Sequence, residues 1–198
     1  MGGLIAKKMG LPVTKFIIST NANNEVPEFI HTGIYQPINP SKNCISSAMN
    51  VGHPSNLARI VAFYGGIMNE TGTIIKQPDM DQMREDLFAV SVTDEETRRT
   101  IGETYKKYNF LLEPHGAIAW KGLKEYSGIN KRSVTGKSLS IALETAHPAK
   151  FPGEIRNILN IEPPFPESLA GLEHKQENYI SLENSYGLLK DFIIKNYK

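Results

Sequence analysis

The residues with the most chemical content stand together in one stretch, Thr145-Ala146-His147-Pro148-Ala149-Lys150-Phe151. It brings a hydroxyl, an imidazole and an ammonium group close together around a proline. Immediately before it, Ser138-Leu139-Ser140-Ile141-Ala142-Leu143 alternates polar and apolar side chains, which predicts a strand over 138–143. Open α/β sheets bind their ligands beyond the C-terminal ends of their strands, and the stretch falls at such an end. Each residue also has a plainer role open to it. Thr145 at a strand end can bond backbone. His147 can fix the turn at Pro148 or touch a ligand. Lys150 can attract a phosphate or be a solvated cation.

Three further groups share that ambiguity. Glu113 and His115 lie in Glu113-Pro114-His115-Gly116, the entry to a predicted helix, where Glu113 is either a ligand-side acid or a cap favoured by the helix dipole. Asn21, Asn23 and Asn24 follow a predicted strand, so they sit on the ligand side, although asparagines there commonly build a turn. Ser55, Asn56 and Arg59 begin another helix and form either an anion site or a cap beside a surface arginine. His31, His53 and His174 lack metal-ligand spacing, so no metal is expected. The lone Cys44 excludes an internal disulfide and a CxxC metal site.

The elements that position these residues alternate along the chain. A helix carrying Leu4, Ile5 and Met9 stops at Gly10-Leu11-Pro12. Residues 15–20 read as a strand buried on both faces. Residues 27–33 read as a short helix with a glycine stop, and Ser55 caps one that presents Leu57, Ile60, Val61, Tyr64 and Met68. Residues 86–92 predict a second buried strand. Thr93 and Glu96 form a capping box for a helix showing Ile101, Tyr105 and Tyr108. The region 148–173 is proline-rich, and an amphipathic helix over 185–197 shows Leu188, Leu189, Phe192 and Ile193. Strand followed by helix, repeated, predicts an α/β fold with a mostly parallel sheet covered by helices on both faces.

Composition narrows the classes. The 198 residues are 40% hydrophobic and 22% charged, as in an ordinary globular domain. The net charge is +1 with no basic stripe, which argues against nucleic acid, and no apolar run reaches membrane-spanning length. The chain opens directly on an amphipathic pattern without a leader, so a cytoplasmic setting is expected.

Four segments together resemble the threonine synthase family. They are Ala6-Lys7-Lys8-Met9-Gly10-Leu11-Pro12 with Ile17 to Asn23, Ile45-Ser46-Ser47-Ala48-Met49 with Pro54 to Arg59, Glu113 to Ala117, and Thr145 to Phe151. The resemblance implies the C-terminal part of the fold-type-II pyridoxal-phosphate architecture, which is like that of the tryptophan synthase β chain. It implies pyridoxal 5'-phosphate as cofactor and conversion of O-phosphohomoserine and water to threonine and phosphate. It places the Thr145 hydroxyl against the pyridine nitrogen, where a neutral group does not favour ring protonation. With that cofactor, Glu113, His115, His147, Lys150, Asn21, Asn24, Ser55, Asn56 and Arg59 are candidates for the vicinity of cofactor or substrate, each with the plainer role given above still open. Glu113 stands where the family more commonly has Asp.

The chain departs from that family in lacking two parts. The lysine that holds the cofactor and the Gly/Asn-rich loop that cradles its phosphate lie upstream in the family, and Lys190-Asp191 sits on a predicted solvated helix face. The expectation is therefore that residues 1–198 form the C-terminal part of the catalytic domain, inactive alone. Its partner would be the absent N-terminal half or a second copy, reached through exposed apolar surface at Leu4, Ile5 and two strands. A related fold-type-II phospho-lyase acting on a similar phosphate ester remains an alternative. So does a non-catalytic chain that binds its missing half.

Overall fold

The computed structural model describes residues 1–47, 50–129 and 139–197. The chain forms two compact units, Met1–Pro164 and Phe165–Lys198. In the first unit, β1 (Phe16–Thr20) and β4 (Leu87–Ser91) pair in parallel, from Phe16 opposite Leu87 to Thr20 opposite Ser91. A parallel pair needs a long crossover. Here it holds α2 (Glu25–Thr32), α3 (Asn56–Phe63), the antiparallel hairpin of β2 (Ile67–Met68) and β3 (Ile74–Lys76), and α4 (Met80–Asp86).

Side chains alternate across a strand, and the two faces of this sheet meet different helices. Phe16, Ile18, Leu87 and Ala89 join Val26, Phe29 and Ile30 of α2 in the main core, with Leu57, Val61 and Met83. The opposite face receives α6 (Pro114–Ile129). Phe88 meets Tyr126 there with ring centres 5.3 Å apart. Gly122 lies so close to β1 that a Cβ would come within 1.9 Å of the Ser19 hydroxyl oxygen. Helices thus cover both faces of a parallel sheet. β1 itself is half-buried throughout rather than fully buried, because no strand flanks its other edge among the described residues.

A second core layer joins α5 (Asp94–Tyr108), α6 and α7 (Pro152–Leu159) through Ile101, Leu112, Ala117 and Ile155. The Thr93–Glu96 capping box is present. The buried face of α5 is Thr97, Thr100, Ile101 and Thr104. Tyr108 instead lies exposed in the last turn, edge-on to Trp120 with centroids 6.4 Å apart.

Several expectations change. Residue 138 lies outside the described residues, and 139–143 form no strand. Leu139, Ile141 and Leu143 are 86%, 71% and 70% exposed. A strand needs a neighbour to accept and supply its backbone hydrogen bonds, and none runs alongside among the described residues. α1 (Gly2–Lys8) ends before Gly10, whose φ is 103°, as expected. Its Leu4, however, is buried in the main core rather than left open, while Ile5 is exposed. Ser55 stands at the N-cap of α3 without a side-chain cap bond. The hairpin strands are too short to carry a periodic signal. α4 depends on a single cap, in which the Asp79 carboxylate accepts from the Gln82 amide at 3.0 Å. In the second unit, α8 (Tyr186–Asn196) takes the predicted place and buries none of its residues.

Glu25, in the first turn of α2, is only 4% exposed and its Oε2 has no hydrogen-bond partner among the described residues. Burial raises its pKa above the ordinary 4.5, against smaller lowering effects from its own backbone amide, His53 and Lys42. A raised carboxyl contributes its full stability below about pH 4.5 and loses it as the pH rises through the folded value. Glu25→Gln should therefore raise the thermal midpoint at pH 7 by about 2–4 °C. The gain should shrink towards zero near pH 4, and thermal melts across that range measure it.

Candidate functional site

The start of α6 organises the candidate residues. The Glu113 side chain is fully buried at the N-cap. Its Oε1 accepts from the Gly116 amide and its Oε2 from the His115 amide, both at 2.7 Å. The His115 ring Nδ1 lies 2.7 Å from the same Oε2. Burial alone would raise the Glu113 pKa, but the His115 ring and the two helix-start amides hold it below the ordinary range. Of the two roles open to Glu113, capping is the one its contacts define. The carboxylate closes on the amides two and three residues ahead, as a helix-capping acceptor does.

Two residues tie the Thr145–Phe151 stretch to this helix start. The Glu113 amide donates to Glu144 Oε1 at 2.9 Å. At the other end, Phe151 is buried and its ring meets His115 with centroids 5.6 Å apart. Thr145, His147 and Lys150 lie exposed between these anchors. Among the described residues the Thr145 hydroxyl has no hydrogen-bond partner. His147 Nδ1 accepts from the Ala149 amide at 3.1 Å. That bond makes the turn and leaves Nε2 as the ring nitrogen facing outward. Pro148 begins a short 3-10 turn, Pro148–Lys150, and α7 follows.

The asparagines build the neighbouring loop. Asn21 Oδ1 accepts from the Asn23 amide at 2.9 Å, and its Nδ2 donates to Ser46 Oγ at 2.9 Å. Asn23, 2% exposed, holds Lys42 by donating to its carbonyl and accepting from its amide. Asn24 donates to Glu28 on α2. These bonds fix residues 42–46 near the C-terminal ends of β1 and β4, where Ile45 also donates to Asp94 at 3.2 Å. A cleft of about 450 Å³ separates this loop from residues 150–157, with Ile45, Ser47 and Asp94 on one side and Lys150, Phe151 and Asn157 on the other.

The structure therefore brings Glu113, His115, Thr145, His147 and Lys150 onto one framework and sets the Asn21 loop across a cleft from Lys150. It does not bring in Ser55, Asn56 or Arg59. Arg59 donates to Asn56 Oδ1 at 2.8 Å on the exposed side of α3. No hydrogen bond or ion pair among the described residues joins them to the other candidates. The sequence gives no role to Glu144, Ser46 or the Phe151 anchor. A glutamate ending an alternating run becomes legible only once the first turn of α6 is seen beside it.

The chain is similar in sequence and fold to known proteins. Residues 120–193 match the model of the threonine synthase C-terminal family. Threonine synthase of Haemophilus influenzae is 36% identical over 196 residues, covering 98% of this chain and 40% of that protein. The Escherichia coli enzyme is 33% identical over 168 residues, 85% of this chain and 34% of that one. The crystal structure of the threonine synthase from Brucella melitensis, which has pyridoxal phosphate bound, superposes with a TM-score of 0.78 at 28% identity. It matches 96% of this chain and 42% of that chain. The fold is thus the C-terminal part of the fold-type-II pyridoxal-phosphate class. In sequence and fold the chain is similar to the C-terminal portion of the threonine synthases. The chain spans about 40% of the length of the curated relatives it matches.

Glu113 should matter to stability in a pH-dependent way. A carboxyl with a lowered folded pKa contributes stability above its unfolded value, near 4.5, and loses it as the pH falls through the folded value. Glu113→Gln should cost on the order of 1–3 kcal/mol at pH 7 in urea unfolding. The difference from the unsubstituted chain should narrow as the solution is acidified below pH 4.

Proposed function

We propose that the chain supplies the C-terminal part of a pyridoxal-phosphate-dependent threonine synthase, acting on O-phosphohomoserine and water to give threonine and phosphate. The observation that carries this reading is the presentation of Thr145, an exposed hydroxyl with no hydrogen-bond partner among the described residues, between two anchors at the start of α6. Such a hydroxyl fits a pyridine nitrogen, because it donates one hydrogen bond and adds no charge. When bound, pyridoxal phosphate supplies an electron sink for carbanion character at the substrate.

The chain's own residues have separate tasks in this reading. Thr145 holds the ring edge through its hydroxyl. Lys150, which lines the cleft, attracts the substrate's phosphate as a point charge. His147 offers Nε2 to cofactor or substrate, its Nδ1 being occupied. Glu113 and His115 act on these three by fixing the start of α6. The exposed run of Leu139, Ile141 and Leu143 supports a partner as well, since the remaining portion of such an enzyme would cover it. The lysine that holds the cofactor would come from that portion, and so would the phosphate loop. No helix of the described residues is long and apolar enough to cross a membrane, and a cytoplasmic setting belongs to the same proposal.

The purified chain should release no phosphate from O-phosphohomoserine and should keep no bound pyridoxal phosphate after dialysis. Phosphate release by the chain alone would overturn the proposal that it needs the other portion. In the complete enzyme, Thr145→Val keeps the shape but leaves the ring nitrogen without its donor. The loss is worth about 1–3 kcal/mol, so turnover should fall about ten- to a hundredfold with a shifted cofactor absorbance. Unchanged turnover and spectrum would remove Thr145 from the ring.

A further inference from the structure

We propose that Glu144 is a positioning residue for Thr145. Its carboxylate fixes the hydroxyl by holding the chain immediately before it against the first turn of α6. The proposal rests on the reading that Thr145 meets the cofactor ring, but the tether can be tested without cofactor.

Three observations converge on Glu144. The Glu113 amide stands at the N-cap, where the helix provides no acceptor. Glu113's own carboxylate is already committed to His115 and Gly116. Glu144 Oε1 accepts that amide at 2.9 Å, and a negative acceptor is favoured at a helix start. Gly116 leaves the space this requires. A Cβ there would stand 3.0 Å from Glu144 Cγ and 3.2 Å from both Cδ and Oε1. Finally, the second anchor of the stretch, Phe151 against His115, lies on the same helix start. With both ends held, the intervening backbone keeps one path. If Glu144 is released, the stretch stays fixed only at Phe151, six residues after Thr145. Thr145 then loses its direction while the fold is kept. A solvated glutamate, the ordinary state of an exposed one, would need neither the amide nor the missing Cβ.

The test uses the chain as it exists, without cofactor, and reads amide hydrogen exchange and the Thr145 side-chain couplings by NMR. Glu144→Ala should speed exchange of the Glu113 amide about tenfold or more, as loss of a charge-assisted bond implies. It should also move the Thr145 Hα–Hβ coupling from a single-rotamer value to an averaged one. Glu144→Gln, which keeps a carbonyl acceptor, should retain most of the protection and the coupling. Gly116→Ala, which crowds the glutamate by a few tenths of an ångström, should move both readouts in the same direction as Glu144→Ala and by less. Amides of α6 beyond Gly116 should change little throughout. Unchanged Glu113 exchange in Glu144→Ala would overturn the tether. Faster exchange with an unmoved Thr145 coupling in both Glu144→Ala and Gly116→Ala would overturn the positioning role. If Glu144→Ala does not fold, the contrast between Glu144→Gln and Gly116→Ala decides the matter on the same two readouts. Turnover of Thr145→Val in the complete enzyme tests the ring contact separately, so failure of one does not disguise failure of the other.

Discussion

The buried carboxylate of Glu113 is the interaction on which the rest of the site depends. It accepts two amides of the first turn of α6 and meets the His115 ring. A buried carboxylate without such donors would cost several kcal/mol. The helix start supplies them, and the charge in turn favours the helix end by up to about 2 kcal/mol in a partly buried setting. Each group makes the other tolerable. With His115 oriented, its ring has a fixed place to pack against Phe151. With Glu113's own carboxylate engaged, its amide is left for Glu144. The candidate stretch therefore hangs from a helix terminus.

That arrangement decides what the terminus can bind. A helix start with free amides is a ready phosphate site. Here two carboxylates of the chain itself, from Glu113 and Glu144, already take those amides. The cation on this side of the molecule is Lys150, which lines the cleft. The asparagine loop follows the same economy. Asn21 and Asn23 spend their hydrogen bonds on Ser46 and Lys42 to build the opposite wall of the cleft, so their contribution is shape.

Much of this was legible in the residues themselves. The capping box at Thr93 and the glycine stop after α2 are local signals that stand where they were expected, and the apolar stripe of α3 does so for Leu57, Ile60 and Val61, whereas Met68 falls in β2 beyond the end of that helix. The parallel pairing of β1 and β4 followed from strand–helix alternation. Pairwise contacts between distant segments were not legible. Glu144 and Glu113 are 31 residues apart, and nothing local marks them as partners. The threonine face of α5 escaped notice because Thr97, Thr100 and Thr104 read as polar, whereas Tyr105 and Tyr108 read as core. α4 is capped by Asp79 just before a strand and is too short to show a period.

The run at 139–143 is the informative disagreement. Its alternation is genuine: apolar side chains recur at every second residue, and β-branched and aliphatic types suit a pleated surface. Yet periodicity records which face a segment would bury, and not whether a neighbour is present to bury it. Among the described residues β1 lacks a flanking strand on one side, and the run at 139–143 lacks one altogether. Both features belong to the same circumstance, because edges that complete a sheet need strands from elsewhere. The run nevertheless has one end already secured by Glu144 on α6. A segment held at one end gives up less conformational entropy on pairing than a free one. Thr145 lies just beyond that secured end, so pairing of the run would extend order from the α6 anchor outward and leave the hydroxyl where the helix start has already put it.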